Sequence, residues 1–171
     1  MESVCLNKAP YLAAERDPSA IPSPLNLGIE NSRRFRALPA YANLVAYGRH
    51  GHQHMLKQHI RLARAIAGFI FDHPEYVLLN GAEEAKEKKL DKIYMAVLFR
   101  AKNRDFNQVL VDQVCSRRKV FVLQTSWRGE LAVRLQVASW KVDMVRDLQA
   151  VVETLEQVAA GRREMNIALI P

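Results

Sequence analysis

The sequence predicts an α+β fold: a small antiparallel or mixed sheet with helices on one face, preceded by two helices. Three observations predict it. Leu131, Val133, Leu135 and Val137 alternate with Ala132, Arg134, Gln136 and Ala138, the period of a half-buried strand. Arg128-Gly129 separates that run from Val120–Trp127, as the turn of a hairpin does, with Gly129 able to take positive φ. Apolar residues also recur at helical spacing, three times before the hairpin region and once after it.

Residues 1–28 carry Pro10, Pro18, Pro22 and Pro24, which interrupt any helix or central strand. The stretch is too long for a simple connection and reads as a strap across the surface of something larger. A helix is expected over Arg36–Tyr47 from Phe35, Leu38, Ala42 and Val45, with Pro39 in its first turn and Gly48 as its stop. A longer helix should span Gly51–Phe71. Leu56, Ile60, Ala63, Ala67 and Ile70 form its apolar stripe, Lys57, Arg61 and Arg64 its outer face, and Asp72-His73-Pro74 its end.

Tyr76–Leu79 suits a short strand, and the charged run Gly81–Lys92 a solvated loop or loosely helical insertion. Ile93–Phe99 is nearly all apolar and reads as a strand buried on both faces. Asp105 is the expected N-cap of a helix carrying Phe106, Val109, Leu110, Gln113 and Val114. The hairpin Val120–Trp127 and Glu130–Ala138 follows. One face of its second strand packs on helices, and the other carries Arg134 and Gln136. The last helix is expected over Val142–Ala160 with Val142, Val145, Leu148, Val152, Leu155 and Ala159 inward, Gly161 as stop and 162–171 as a frayed tail. The organisation is thus a strap over 1–31, two helices over 32–80 and a C-terminal α+β domain over 93–161.

Composition narrows the function. A hydrophobic fraction of 49% allows a packed core. The net charge of +7 raises nucleic-acid binding. Yet the cations are dispersed (Arg33, Arg34 and Arg36; Lys86, Lys88 and Lys89; Arg117, Arg118 and Lys119), acids interleave the middle group, and no recognition motif accompanies them, so no nucleic-acid partner is expected. No apolar run is long enough to span a bilayer and no secretory signal is present, so the expectation is a soluble cytoplasmic protein without a membrane partner. The two cysteines, Cys5 and Cys115, lack the spacing of a disulfide framework or zinc ribbon. His50, His52, His54 and His59 have no carboxylate completing a ligand set and read as a polar helix entrance rather than a metal site. Cys115 stands beside Arg117, Arg118 and Lys119 but in a packed helix with no histidine near in sequence, which favours a structural role. No glycine-rich phosphate loop occurs. Asn31-Ser32-Arg33-Arg34-Phe35-Arg36 combines a helix start with three arginines; by its residues it suits an anion site or a solvated basic entrance equally.

Pro24-Leu-Asn-Leu-Gly-Ile-Glu-Asn-Ser-Arg-Arg-Phe-Arg-Ala-Leu-Pro39, then Ala46-Tyr-Gly48 and Gly51, resembles the group II pyridoxal-phosphate-dependent amino-acid decarboxylases, among them the aromatic-amino-acid, tyrosine, glutamate and diaminobutyrate enzymes. The resemblance continues through Ile93–Arg100, Ser126-Trp127, Leu131–Trp140 and the closing helix, roughly Tyr11 to Ala160. It implies the small C-terminal domain of the aminotransferase-like, fold type I architecture, an α/β design in its complete form. It also implies pyridoxal 5'-phosphate as cofactor, which accepts electrons as carbon dioxide leaves an L-amino-acid substrate. The family's cofactor lysine follows a histidine. No His-Lys dipeptide occurs here, and Met1 is expected just past that point, so no catalytic residue is assigned and the chain alone is expected to be inactive. By the resemblance, Asn31 and Ser32 contact the cofactor phosphate of a neighbouring subunit, and Arg134 matches an arginine that holds a substrate carboxylate in glutamate decarboxylases. The resemblance implies a homodimer, or association with a full-length relative. The alternatives are a non-catalytic dimerisation fragment of the same family and, on net charge alone, a nucleic-acid module.

Overall fold

A computed structural model of the chain describes residues 34–80 and 85–167. Asn31, Ser32 and the expected strap over 1–31 lie outside the described residues, as do Cys5 and residues 81–84. The chain divides into two compact units, Met1–Gly48 and Arg49–Pro171. The first described helix, α1 (Leu38–Asp72), runs across that division, and Gly48 inside it is non-helical, at φ 57 and ψ −173. That backbone geometry is open essentially to glycine alone, so the expected stop is present as a break between two helical stretches. In the first unit Phe35, Leu38, Tyr41, Leu44 and Val45 are all exposed.

The second unit holds the remaining elements: β1 (Tyr76–Leu78), α2 (Lys86–Asp91), β2 (Ala96–Ala101), α3 (Arg104–Ser116), β3 (Leu123–Trp127), β4 (Glu130–Gln136) and α4 (Met144–Ile167). The strands make one antiparallel sheet in the order β1-β2-β4-β3. Its inner face, with Tyr76, Val97, Phe99, Val133 and Leu135, packs on apolar residues of α1, α3 and α4 such as Ile66, Leu110 and Leu155. This is the expected α+β layer with helices on one face. At ~25 cal/mol per Å², burial of such side chains is the dominant favourable term in folding.

Several expectations are corrected. The inward stripe of α1 is as expected at Ala63, Ala67 and Ile70, all buried, but differs toward its start: Leu56 is exposed and Ile60 half-buried, while His59, Leu62 and Ile66 are buried. Periodicity tolerates such a shift. Here the His59 Nε2–H donates to the Ser139 carbonyl at 2.7 Å, which holds the helix in this setting. Arg64 is no idle outer residue. Its guanidinium donates to the carbonyls of Asp91 (2.8 Å) and Ile93 (3.1 Å), tying α1 to the α2–β2 connection. The charged run does contain a helix, α2, whose Lys86 and Lys89 lie over the Phe71 ring.

The strand expected at Ile93–Phe99 begins at Ala96, and its burial alternates instead of covering both faces; Tyr94 is exposed. The N-cap of α3 is Asn103, not Asp105: its side-chain oxygen accepts from the Phe106 N–H at 2.8 Å. Gly161 does not stop the last helix, which continues to Ile167. Arg162, one residue on, pairs with Glu75 and lies over the Phe106 ring, and these tertiary contacts carry the helix past the glycine. Val145, expected inward, is exposed; Leu155 and Ala159 are buried as expected, joined by Val151, Thr154 and Val158. The hairpin turn is as expected: Arg128 and Gly129 both have positive φ, 51 and 80, matching the twist of the flanking strands.

The start of α4 is held by two carboxylates. Asp143 accepts from the N–H groups of Val145 and Arg146, and Asp147 accepts from the Asp143 N–H at 2.9 Å. Partial burial works against charge on Asp147, but hydrogen bonds from Arg146 and the Asp143 N–H, with the Arg146 charge, outweigh it and hold its carboxyl below the usual range. A depressed folded value contributes stability that is present above the ordinary carboxylate range and is lost as pH falls through the depressed value. Asp143→Ala is expected to cost about 0.5–2 kcal/mol in urea unfolding. Asp147→Asn should flatten the loss of stability between neutral and acid pH; an unchanged pH profile would refute the assignment.

Candidate functional site: the outer sheet face and its end cleft

The pairings Leu98↔Arg134 and Leu123↔Arg134 place these three side chains in one row on the face turned away from the helices. Gln136 follows two residues along β4, and Thr125 and Trp127 follow along β3. Arg134 and Gln136 are exposed, Val133 and Leu135 buried, so the alternation read from sequence is the alternation observed. Ala132 is the exception, buried although it lies on the outer face, since its methyl sits below taller neighbours such as Thr125. Near the hairpin end Arg100 is paired with Glu130. Arg134 has no ion pair or hydrogen bond among the described residues. An unneutralised guanidinium of fixed charge on an apolar row is a ready partner for a carboxylate.

At the far end of the β3–β4 hairpin a cleft of about 340 Å³ opens between the sheet, α1 and α4. Leu62, Ile66, Val137 and Val151 give it an apolar floor, and Lys119, Arg134 and Asp147 are among its polar lining. A second cleft, about 440 Å³ in volume, lies by the hairpin turn and is polar, lined by Arg100, Lys102, Arg104, Gln108 and Glu130.

Two of the histidines, His59 and His73, make structural hydrogen bonds. No group of His, Cys, Asp or Glu among the described residues is arranged to hold a metal. His59 is a bridge to Ser139, as above. His73, which sequence reading noted only as a helix end, accepts the Glu75 N–H on Nδ1 at 3.1 Å; its Nε2 therefore carries the proton and faces Glu156 at 3.5 Å. Its ring packs on Tyr76, whose hydroxyl donates to the Leu155 carbonyl at 2.8 Å. Burial pushes that hydroxyl above its ordinary value, and the negative charges of Glu156 and Glu75 add to the rise, so it remains a donor. Cys115 is half-buried, with its thiol directed at the Val122 carbonyl.

Sequence reading missed Asn107. Its side chain accepts from the Ala101 N–H and donates to the Leu131 carbonyl, both at 2.9 Å, locking the end of β2 to β4 beneath the polar cleft. The available signal was an asparagine in the first turn of an otherwise apolar inward face. Asn80 does similar work: it accepts from the Leu98 N–H and donates to the Ala96 carbonyl, prolonging β1 by side chain.

No family model matches the chain. One curated relative, the aromatic-L-amino-acid decarboxylase of Sus scrofa, is 29% identical over 112 residues. That match takes in 65% of this chain and 21% of the relative, so the chain spans about a fifth of the relative's length. Among solved structures, Oryza sativa TDC with PLP and tryptamine superposes over 96% of this chain and 33% of its own, at a TM-score of 0.68 and 16% identity. Catharanthus roseus tryptophan decarboxylase in complex with L-tryptophan covers 80% of this chain and 28% of its own, at 0.66 and 19%. The glutamate decarboxylase domain of a Vibrio parahaemolyticus diaminobutyrate-pyruvate transaminase and L-2,4-diaminobutyrate decarboxylase covers 75% and 27%, at 0.58 and 19%. At these identities the structures show a shared fold.

Pyridoxal phosphate attaches to its enzymes through a lysine. The described lysines do not fit that task. Lys57, Lys88, Lys92, Lys102, Lys119 and Lys141 are exposed, Lys86 is tied to Asp72, and Lys89 lies over Phe71. None stands in the desolvated pocket that makes a lysine amine reactive at neutral pH.

Proposed function

The chain is similar to part of the group II pyridoxal-phosphate-dependent amino-acid decarboxylases, and from that premise we propose that it forms the C-terminal portion of a carboxy-lyase acting on an L-amino acid. The observation that carries this reading is the unpaired Arg134 on the outer face of a sheet whose fold is shared with decarboxylases. In it Arg134 binds the substrate carboxylate, while Asn31 and Ser32 contact the cofactor phosphate of a neighbouring subunit. The chain's contribution is binding and orientation; no covalent step is assigned to it. The working protein is a cytoplasmic homodimer, or this chain joined to a full-length relative.

A second reading, a non-catalytic dimerisation fragment of the same family, draws on the lack of a His-Lys dipeptide in the sequence and of a buried lysine among the described residues. The two are separated on the native protein, immunopurified from its source and assayed for carbon dioxide release from carboxyl-labelled aromatic, acidic and basic amino acids. The carboxy-lyase reading expects release that depends on added pyridoxal phosphate. Arg134→Ala in the active species is then expected to raise KM by roughly 10–100-fold, the value of a charge-assisted hydrogen bond, with the circular dichroism spectrum unchanged. No release from any of these substrates would overturn it in favour of the fragment.

A further inference from the structure

Among the described residues β3 is the outer strand of the sheet, with β4 as its one partner. Trp127↔Glu130 closes the two-residue turn, so Trp127, Thr125 and Leu123 exchange backbone hydrogen bonds with β4. Gln124 and Ser126 accordingly turn their N–H and C=O groups to the free edge, and both residues are exposed. Proteins usually blunt such an edge with a charge, a proline, a bulge or a very short strand. The opposite edge follows that rule, since β1 has three residues. β3 does not: no charged residue or proline lies between Lys119 and Arg128, and its register with β4 is unbroken.

The strand matches its own reverse. A two-fold axis through Thr125 sets Gln124 of one copy opposite Ser126 of the other, so that their outward N–H and C=O groups meet as reciprocal hydrogen bonds. Leu123 then faces Trp127 of the second copy in a non-hydrogen-bonded position, where Cα atoms approach to about 4.5 Å and apolar pairs contribute most. Arg128 lies in the turn beyond the paired segment, and Leu123–Trp127 holds no charged residue, so no like charges meet within it.

We propose that β3 pairs antiparallel with β3 of a second copy of this chain, continuing the sheet across a two-fold axis. The contact is one strand wide and below the ~1,000 Å² of a stable interface, so association depends on concentration. The surface is independent of the decarboxylase reading.

Sedimentation equilibrium of the full chain should show its mass doubling as concentration rises, from the monomer or from the homodimer of the decarboxylase reading. Ser126→Pro removes an outward N–H and no bond to β4, and is expected to weaken that association at least about tenfold with the circular dichroism spectrum retained. Should that variant fail to fold, Thr125→Cys in a Cys5→Ser, Cys115→Ser background tests the same register: mild oxidation should give a disulfide-linked pair, while Asp112→Cys on α3 should not. No doubling at any concentration, a doubling that survives Ser126→Pro, or no link at Thr125→Cys would each overturn the proposal.

Discussion

Replacing Phe99 by alanine is expected to lower the stability of the Arg49–Pro171 unit by about 3–5 kcal/mol, the range for a fully buried aromatic side chain. Phe99 is wholly buried on β2, which pairs with both β1 and β4. Its ring meets Tyr76 edge-on at 5.8 Å, and Tyr76 in turn stacks on His73 and bonds Leu155. The cavity would therefore open where the end of α1, the sheet and α4 converge. Urea unfolding at neutral pH gives the measurement. Phe99→Leu, which keeps most of the volume, should recover much of the loss. Equal losses for the two variants would mean that the site relaxes and that this contact does not organise the core.

Asn107→Ala should cost about 2–5 kcal/mol, because it strands a buried N–H and a partly buried C=O together. Both bonds are to backbone, and they join β2 to β4 where the sheet meets α3. Asn107→Asp separates the two bonds, since a carboxylate still accepts from Ala101 but cannot donate to Leu131. An intermediate loss is expected for it in the same urea series. Hydrogen exchange should rise first at Ala101 and its neighbours on β2. If Asn107→Ala unfolded at the wild-type midpoint, water would be replacing the amide and the clamp would carry no energy.

Much of the helix-on-sheet layer was legible in the residues, for reasons that differ by element. The β4 alternation was readable because a period of two leaves little choice of face, and the turn because a positive φ at position 129 suits glycine. Helical faces were less determinate. The α1 stripe holds at Ala63, Ala67 and Ile70 and shifts only at its start, where His59, polar by type, is bonded inside, and Leu56, apolar by type, is left outside. The end of α4 was misread at Gly161, where local propensity says stop and a pairing to Glu75, distant in sequence, says continue.

By itself the sequence determined the α+β class, the hairpin and its register, the outward position of Arg134 and the likeness to group II decarboxylases. These are local patterns, or motifs in fixed order, and they survive without knowledge of what packs on what. Only the tertiary structure decided that, among the described residues, Arg134 stands without an ion pair and β3 is left as an unguarded edge, and that Asn107 and Tyr76 hold the layers together through backbone carbonyls. Each depends on partners tens of residues away, and hydrogen-bond satisfaction and strand order are properties of the assembled layers that no window of sequence contains.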